Sequence, residues 1–332
     1  MNTKIEKIAN RVIEGEGISY EEAHFLMKID GNEIYDLLYW ANSIRYNTFK
    51  NVISLCSIIS ARQGSCTEDC RFCSQSTRYQ TEIANFPLVE REEISEAVER
   101  GKEYKSNCVG VVTSGYSLDG NDDFDRICEG AYELSKGNGI PIHTSIGTIT
   151  SKMAKKLVSS GVEMINHNLE TSESYYPNIC TTHSYNDRVE TIKIAKEAGL
   201  KICSGGVFGV GESVEDRLDL AFRLKELDVE AIPLNFLSPV KGTPSSIEKP
   251  LEPMEILKII AVFRHIFPDK ELKVAGGREK NLRDVQSWMF YAGANSTMIG
   301  DYLTTRGKSH DDDLQMIKDL GLTYEERDGH KH

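Results

Sequence analysis

Three cysteines in one short stretch, Cys66, Cys70 and Cys73, are spaced C-x3-C-x2-C within GSCTEDCRFCSQS, residues 64–76. A 4Fe–4S cube ordinarily takes four thiolates, so three leave one iron with an open position. That position can chelate the amino and carboxylate groups of S-adenosylmethionine, and electron transfer into it then breaks a carbon–sulfur bond. The product, a 5′-deoxyadenosyl radical, abstracts hydrogen from unactivated C–H bonds, chemistry that the cofactors carry and the protein positions. A zinc knuckle with a distant fourth ligand, or three cysteines packed as small hydrophobes, are the competing readings. Zinc loops usually pair cysteines as C-x2-C, which favours the cluster. Phe72, before the last cysteine, suits a wall for cluster and adenine.

Such a loop needs a scaffold. With 332 residues the chain can form one large α/β barrel or two ordinary domains. A formal net charge of -12 argues against a nucleic-acid or anionic-membrane surface, which would repel it. No stretch approaches the ~20 apolar residues of a membrane span. The N-terminus, MNTKIEKIANRVIEGEG, carries charges throughout, so no secretory signal is expected and the cytoplasm is the expected compartment. There, eight cysteines point to metal binding or catalysis before disulfides.

Residues 1–48 read as a helical extension, with apolar residues at three- and four-residue spacing. From residue 49 to 307 the chain repeats a short β-branched run followed by an amphipathic helix. The expected strands are Val52–Ser60, Cys108–Ser114, Pro141–Gly147, Glu163–Glu170, Lys201–Gly209, Ala231–Pro239, Leu272–Gly276 and Asn295–Gly300. Helices are expected between them, including Glu92–Tyr104, Asp123–Lys136, Asp187–Glu197, Val214–Glu226 and Pro253–Ile266. Ser213 with Asp216 reads as a variant capping box. This alternation fits a (β/α)8 TIM-type barrel, ahead of an open doubly wound sheet, because polar and sulfur residues recur at or just beyond strand C-termini. Residues 308–332 read as a C-terminal helix and tail, solvated from about Arg327. The N-terminal helices could cap the barrel or make a homodimer contact.

Asn166, Asn168 and Glu170 fall at alternate positions of one expected strand, so their side chains share a face. The glycines at 205, 206, 209 and 211 do not spell a dinucleotide loop, and read as room for the backbone to pass a bulky cofactor.

With these motifs in view, the chain resembles the radical S-adenosylmethionine superfamily, and within it the biotin synthases. The triad with Ser74 and Gln75, NHNLETS at 166–172, and CSGGVFGVGE at 203–212 carry the resemblance. So do PLNFL at 233–237, KGTP at 241–244, GRE at 277–279 and AGANS at 292–296. The resemblance implies sulfur insertion into dethiobiotin, with sulfur from an auxiliary iron–sulfur cluster and electrons from a flavodoxin- or ferredoxin-type donor. It also implies that Asn168 and Glu170 hold the S-adenosylmethionine ribose and that Arg188 faces its carboxylate. Asn166 and Asn235 would hydrogen-bond the ureido ring, a neutral group suited to amides. Glu170 is one methylene longer than the family's usual Asp.

The family's auxiliary cluster is a 2Fe–2S centre held by three cysteines and an arginine. Cys108 and Cys203 match two of those thiolates, whereas His143 stands near the third and Lys273 replaces the arginine. Cys56 and Cys180 are cysteines the common pattern lacks. The expectation is that Cys56, Cys108, Cys180 and Cys203 hold a re-engineered auxiliary cluster, with a four-iron type favoured over 2Fe–2S. His143 could be a mixed-ligation partner or a hydrogen-bonded barrel residue, Cys180 could be a packed loop thiol, and Cys128 reads as plain packing. Competing functions are another radical barrel enzyme, of the hydrogenase-maturation or methylornithine-forming type, and a non-catalytic iron–sulfur redox protein.

Overall fold

The computed structural model describes residues 2–136 and 140–324, so the tail read from Arg327 lies outside the described residues. Its strands are β1 (Val52–Arg62), β2 (Cys108–Thr113), β3 (Ile142–Ser145), β4 (Val162–Asn166), β5 (Lys201–Cys203), β6 (Gly206–Phe208), β7 (Ala231–Phe236), β8 (Glu271–Val274), β9 (Ser296–Met298) and β10 (Thr323–Tyr324). Pairing runs in parallel from β1 through β5 to β7, β8 and β9, and β9 returns to β1 through Ser54–Ser296 and Cys56–Met298. That closure makes the sheet a barrel and excludes the doubly wound alternative.

The helices are α1 (Thr3–Ile13), α2 (Tyr20–Met27), α3 (Glu33–Phe49), α4 (Arg91–Glu103), α5 (Asp122–Ser135), α6 (Ser151–Ser159), α7 (Tyr185–Glu197), α8 (Val214–Glu226), α9 (Pro253–Ile266), α10 (Arg278–Leu282), α11 (Trp288–Tyr291) and α12 (His310–Asp319). The capping box read at Ser213 and Asp216 is present and opens α8. The N-terminal helices pack sideways on the outer ring, α3 on α9 and α2 on α8 and α9. Tyr20 donates to Asp219 (2.9 Å), and His24 meets Glu215 (3.0 Å).

The expected fifth strand is two pieces. A side chain at Gly205 would sit 1.9 Å from the carbonyl of Pro233, and one at Gly206 would sit 2.4 Å from the carbonyl of Glu170. These glycines therefore make room for neighbouring strands, which corrects the reading that they clear a cofactor. The fourth strand also stops earlier than expected, at Asn166. Beyond it a lone bridge, Glu170 with Gly206, keeps the chain beside the sheet, with Glu170 at φ +72°.

Along the strands alternate residues face opposite ways. Ile53, Leu55, Val109, Val111, Ile165, Ile202, Leu272 and Val274 join the apolar shell shared with the helices. Met164, Cys203 and Ala231 form a separate small cluster inside the barrel. The inner wall is unusual for such a barrel, where branched aliphatics ordinarily fill the interior. Here Cys56, Cys108, His143, Cys203 and Lys273 are buried inside.

The C-terminal segment is fastened back onto the barrel. β10 pairs with β1, and both carboxylate oxygens of Asp313 of α12 accept from Nη2 of the buried Arg278 at 2.9 Å. Removing one partner of a buried pair is costly, and Arg278 would be left with Glu279 at 2.9 Å as its remaining carboxylate. Asp313→Ala is expected to cost about 3 kcal/mol of stability, read by urea unfolding.

Candidate active site

The triad loop lies at the C-terminal mouth of the barrel, directly after β1. Backbone bonds shape it: Cys66 N–H donates to Gln75 (3.1 Å), Thr77 N–H to Cys66 (2.7 Å) and Cys73 N–H to Cys70 (3.0 Å). A second loop, after the 3-10 turn Tyr176–Asn178, is pinned against it. Arg71 N–H donates to Ile179 (2.9 Å), and the Asp69 carboxylate accepts from the N–H groups of Thr181 (2.8 Å) and Thr182 (3.2 Å).

This second loop carries Cys180, which lies beside the triad and apart from the other three cysteines of the expected auxiliary set. The Cys180 sulfur lies 3.8 Å from that of Cys70 and 3.3 Å from His183 Nδ1, beside the triad. Donation from the Cys70 thiol, with His183 and Thr182, pulls the Cys180 thiol down to about 3 against its burial. The same contact, together with burial, raises Cys70. Burial pushes Cys73 up to about 11. Loading a metal on such thiols must expel their protons.

The other three expected auxiliary cysteines do converge. Cys56 and Cys108 are paired across β1 and β2, with sulfurs 3.2 Å apart. The Cys108 thiol and then the Lys273 ammonium draw Cys56 down to about 7 despite its burial. Burial pushes Cys203 up to about 12, with Lys273 opposing. Lys273 itself would be discharged by burial, but Cys56 and Glu271 outweigh that and hold it well above the usual lysine range. Its ammonium sits 3.2 Å from Glu271. His143 is buried on β3, opposite Gly110 of β2. Cys128 packs in the apolar shell on α5, as expected.

Between the two sulfur groups lie two adjoining cavities, about 320 and 230 Å³. The larger is lined by Cys56, Cys203, Lys273, Asn166 and Asn235, the smaller by Cys66, Cys70, Glu170, His183 and Arg188. Phe72, Cys73, Asn166 and Asn168 line both. Asn166, Asn168 and Glu170 thus share one space, although only the first lies on the strand.

Each candidate binding residue has a defined posture. Asn235 accepts from Gly276 N–H (3.0 Å) and donates to the Gly206 carbonyl (3.2 Å). Asn168 accepts from Gly205 N–H (3.1 Å) and donates to Glu170 (3.4 Å). Arg188 donates to Tyr176 Oη (2.6 Å), the Asn168 carbonyl (2.9 Å) and His183 Nε2 (3.0 Å), with Glu170 at 3.8 Å. Burial raises Glu170 and Arg188 opposes it. By contrast, the Asn166 side-chain oxygen is buried with no partner among the described residues.

The donor sets fit the groups that the sequence implies. Three thiolates on one loop suit a cube with an open iron, and three more deep in the barrel suit a second cluster. Glu68, Asp69, Tyr176 and His183 escaped the sequence reading. The one available signal was Cys180 and His183 at C-x2-H spacing beside an acidic pair within the triad.

Comparison with known proteins gives the family and the fold. The radical SAM superfamily profile matches residues 62–224, and the Biotin and Thiamin Synthesis associated domain matches residues 233–323. A biotin synthase from Endomicrobium trichonymphae is 46% identical over 322 residues, 97% of this chain and 98% of the relative. One from Geotalea daltonii is 44% identical over 323 residues, again 97% and 98% of the two chains. In structure the chain is similar to methylornithine synthase, with a TM-score of 0.82 at 21% identity, covering 96% of this chain and 97% of that one. It is also similar to the FeFe-hydrogenase maturase from Carboxydothermus hydrogenoformans, with a TM-score of 0.81 at 18% identity, covering 97% and 79%. These two share the barrel fold, whereas the first two share nearly half of all residues across their full length. The chain belongs to the biotin synthases, enzymes with a 4Fe–4S cluster, S-adenosylmethionine and an auxiliary iron–sulfur cluster, which insert sulfur into dethiobiotin.

Proposed function

We propose that the larger cavity takes dethiobiotin and the smaller one S-adenosylmethionine, with the reacting atoms meeting at their shared wall. The observation that carries this reading is the orphaned Asn166 oxygen, a buried acceptor aimed where a ureido N–H would sit. Asn235 spends one donor and one acceptor on backbone and keeps one of each for the ring. Glu170, braced by Asn168, offers a carboxylate to ribose hydroxyls, and Arg188 offers its fork to the amino-acid carboxylate. Phe72 stands against both ligands and keeps water from the space between them. When bound, the cofactors supply the hydrogen-abstracting radical at one end and the sulfur atom at the other.

At the auxiliary end the ligands proposed are Cys56, Cys108 and Cys203, without Cys180. Three thiolates match the arrangement of the triad, so a four-iron cluster with one iron not held by sulfur of the chain is favoured over a two-iron centre. Lys273 stands where the resemblance implies an arginine, and its ammonium, beside Glu271, offsets the thiolate charge. Four irons rather than two beyond those of the triad, counted in anaerobically loaded protein, is the expected result; a count of two would defeat the four-iron assignment.

A small flavodoxin- or ferredoxin-type donor and a cytoplasmic setting complete the reading. No helix of the described residues is long and apolar enough to cross a membrane. A homodimer is supported by exposed aromatics on one face: Tyr35, Tyr39 and Tyr46 of α3 beside Trp288 and Tyr291 of α11.

The test is anaerobic turnover with dethiobiotin, S-adenosylmethionine and reductant, with biotin read by mass spectrometry. Loaded clusters and no biotin would defeat the reading. Asn166→Ala is expected to weaken dethiobiotin binding about tenfold, the worth of one buried hydrogen bond, by calorimetry.

A further inference from the structure

We propose that the cluster-free chain holds one divalent ion of the zinc class on Cys70, Cys180 and His183, at a site exclusive of the triad's cluster because both claim Cys70. The ligand atoms of these three residues lie within 4.8 Å of one another, and Cys180 is buried. Zinc binds thiolate at about 2.3 Å and imidazole at about 2.0–2.1 Å in a tetrahedron. Those lengths set a sulfur–sulfur edge of about 3.8 Å and a sulfur–nitrogen edge of about 3.5 Å. The observed edges are 3.8 Å from Cys70 to Cys180 and 3.8 Å from Cys180 to His183 Nε2. The first of these edges already matches, the second needs to close by a few tenths of an ångström, and the third, from Cys70 to His183, lies within 4.8 Å and closes as the imidazole turns toward the ion.

The surroundings suit an ion as well. The Glu68 carboxylate lies 2.6 Å from His183 Nδ1, so the proton sits on that nitrogen and Nε2 presents its lone pair. A carboxylate behind a ligating imidazole fixes the tautomer and raises its basicity. Arg188 now donates into that lone pair at 3.0 Å, and on metal binding it keeps Tyr176 and the Asn168 carbonyl as partners. Asp69 anchors the Cys180 loop through two backbone N–H groups, so the second thiol does not depend on a flexible segment. Cys70 and His183 both line the 230 Å³ cavity, which offers an entry path and room for a solvent ligand at the fourth position. On binding, the proton that Cys70 donates to Cys180 is released to solvent, and no electron moves. The ion would hold Cys70 as a bound thiolate until the cluster arrives, making assembly an exchange of metals.

Titration of the full-length, cluster-free chain with Co²⁺, followed by Zn²⁺ competition, tests this. One equivalent of Co²⁺ should give tetrahedral thiolate bands. Cys180→Ala and His183→Ala should each weaken binding at least about tenfold, while Cys66→Ala and Cys73→Ala leave it unchanged. Loading the triad's cluster should release the ion one for one. Three results would overturn the proposal: dependence on Cys66 and Cys73, which puts the ion on the triad itself; Cys180→Ala binding like the parent; or full cobalt uptake by the cluster-loaded chain. Circular dichroism and a Cys180→Ser variant separate loss of ligand from loss of fold.

Discussion

Cys203→Ala is expected to empty the auxiliary site and stop biotin formation while the triad's cluster still loads and S-adenosylmethionine is still cleaved. The separation follows from position. Cys203 faces Lys273 and Cys56 deep in the barrel, whereas the triad sits at its mouth. A lost ligand lowers metal affinity at least as much as a lost outer partner, about 10–100-fold, so auxiliary iron should fall to near background. Cys180→Ala is the informative partner experiment. Its sulfur lies against Cys70, so auxiliary iron should stay at the parent level. Iron and sulfide counts on matched samples decide between them, and loss of auxiliary iron from the Cys180 variant would restore the four-cysteine set.

Arg188→Met should raise the dissociation constant for S-adenosylmethionine about 100-fold, since truncating one partner of a buried charged contact costs about 2–5 kcal/mol. Two effects combine here. The ligand carboxylate loses its fork, and Glu170, which burial already pushes toward its neutral form, loses the cation that opposes this. Arg188→Lys should recover only part of the loss, because an ammonium cannot keep Tyr176 and the Asn168 carbonyl in the same planar geometry. Equilibrium binding to the cluster-loaded protein measures both variants. A Met variant binding within about threefold of the parent would remove Arg188 from the ligand set.

Much of this was legible in the residues. Helices Val214–Glu226 and Pro253–Ile266 were read at their observed ends, because α8 begins at a capping box and α9 carries Pro at its first helical position. The triad was legible because its chemistry is local to eight residues of loop. The surroundings of Cys180 were hidden for the opposite reason. Its nearness in sequence to Asn166–Glu170 suggested the barrel interior, but β4 ends at Asn166, and the chain then crosses the mouth to where Asp69 holds Thr181 and Thr182. The destination of that loop depends on a partner more than a hundred residues away. The break at Gly205 was hidden likewise, since it answers to Pro233 on another strand.

The two faces of each strand also set what change this architecture tolerates. Val109 and Val111 look outward into the apolar shell, while Cys108 between the loop and Val109 looks into the lumen. An exchange at an inward position, such as Lys273 or His143, leaves the outward packing untouched. Stability and chemistry are therefore inherited on separate tracks of the same strand. A lineage can rewrite the wiring of its sulfur site one side chain at a time without passing through an unfolded ancestor.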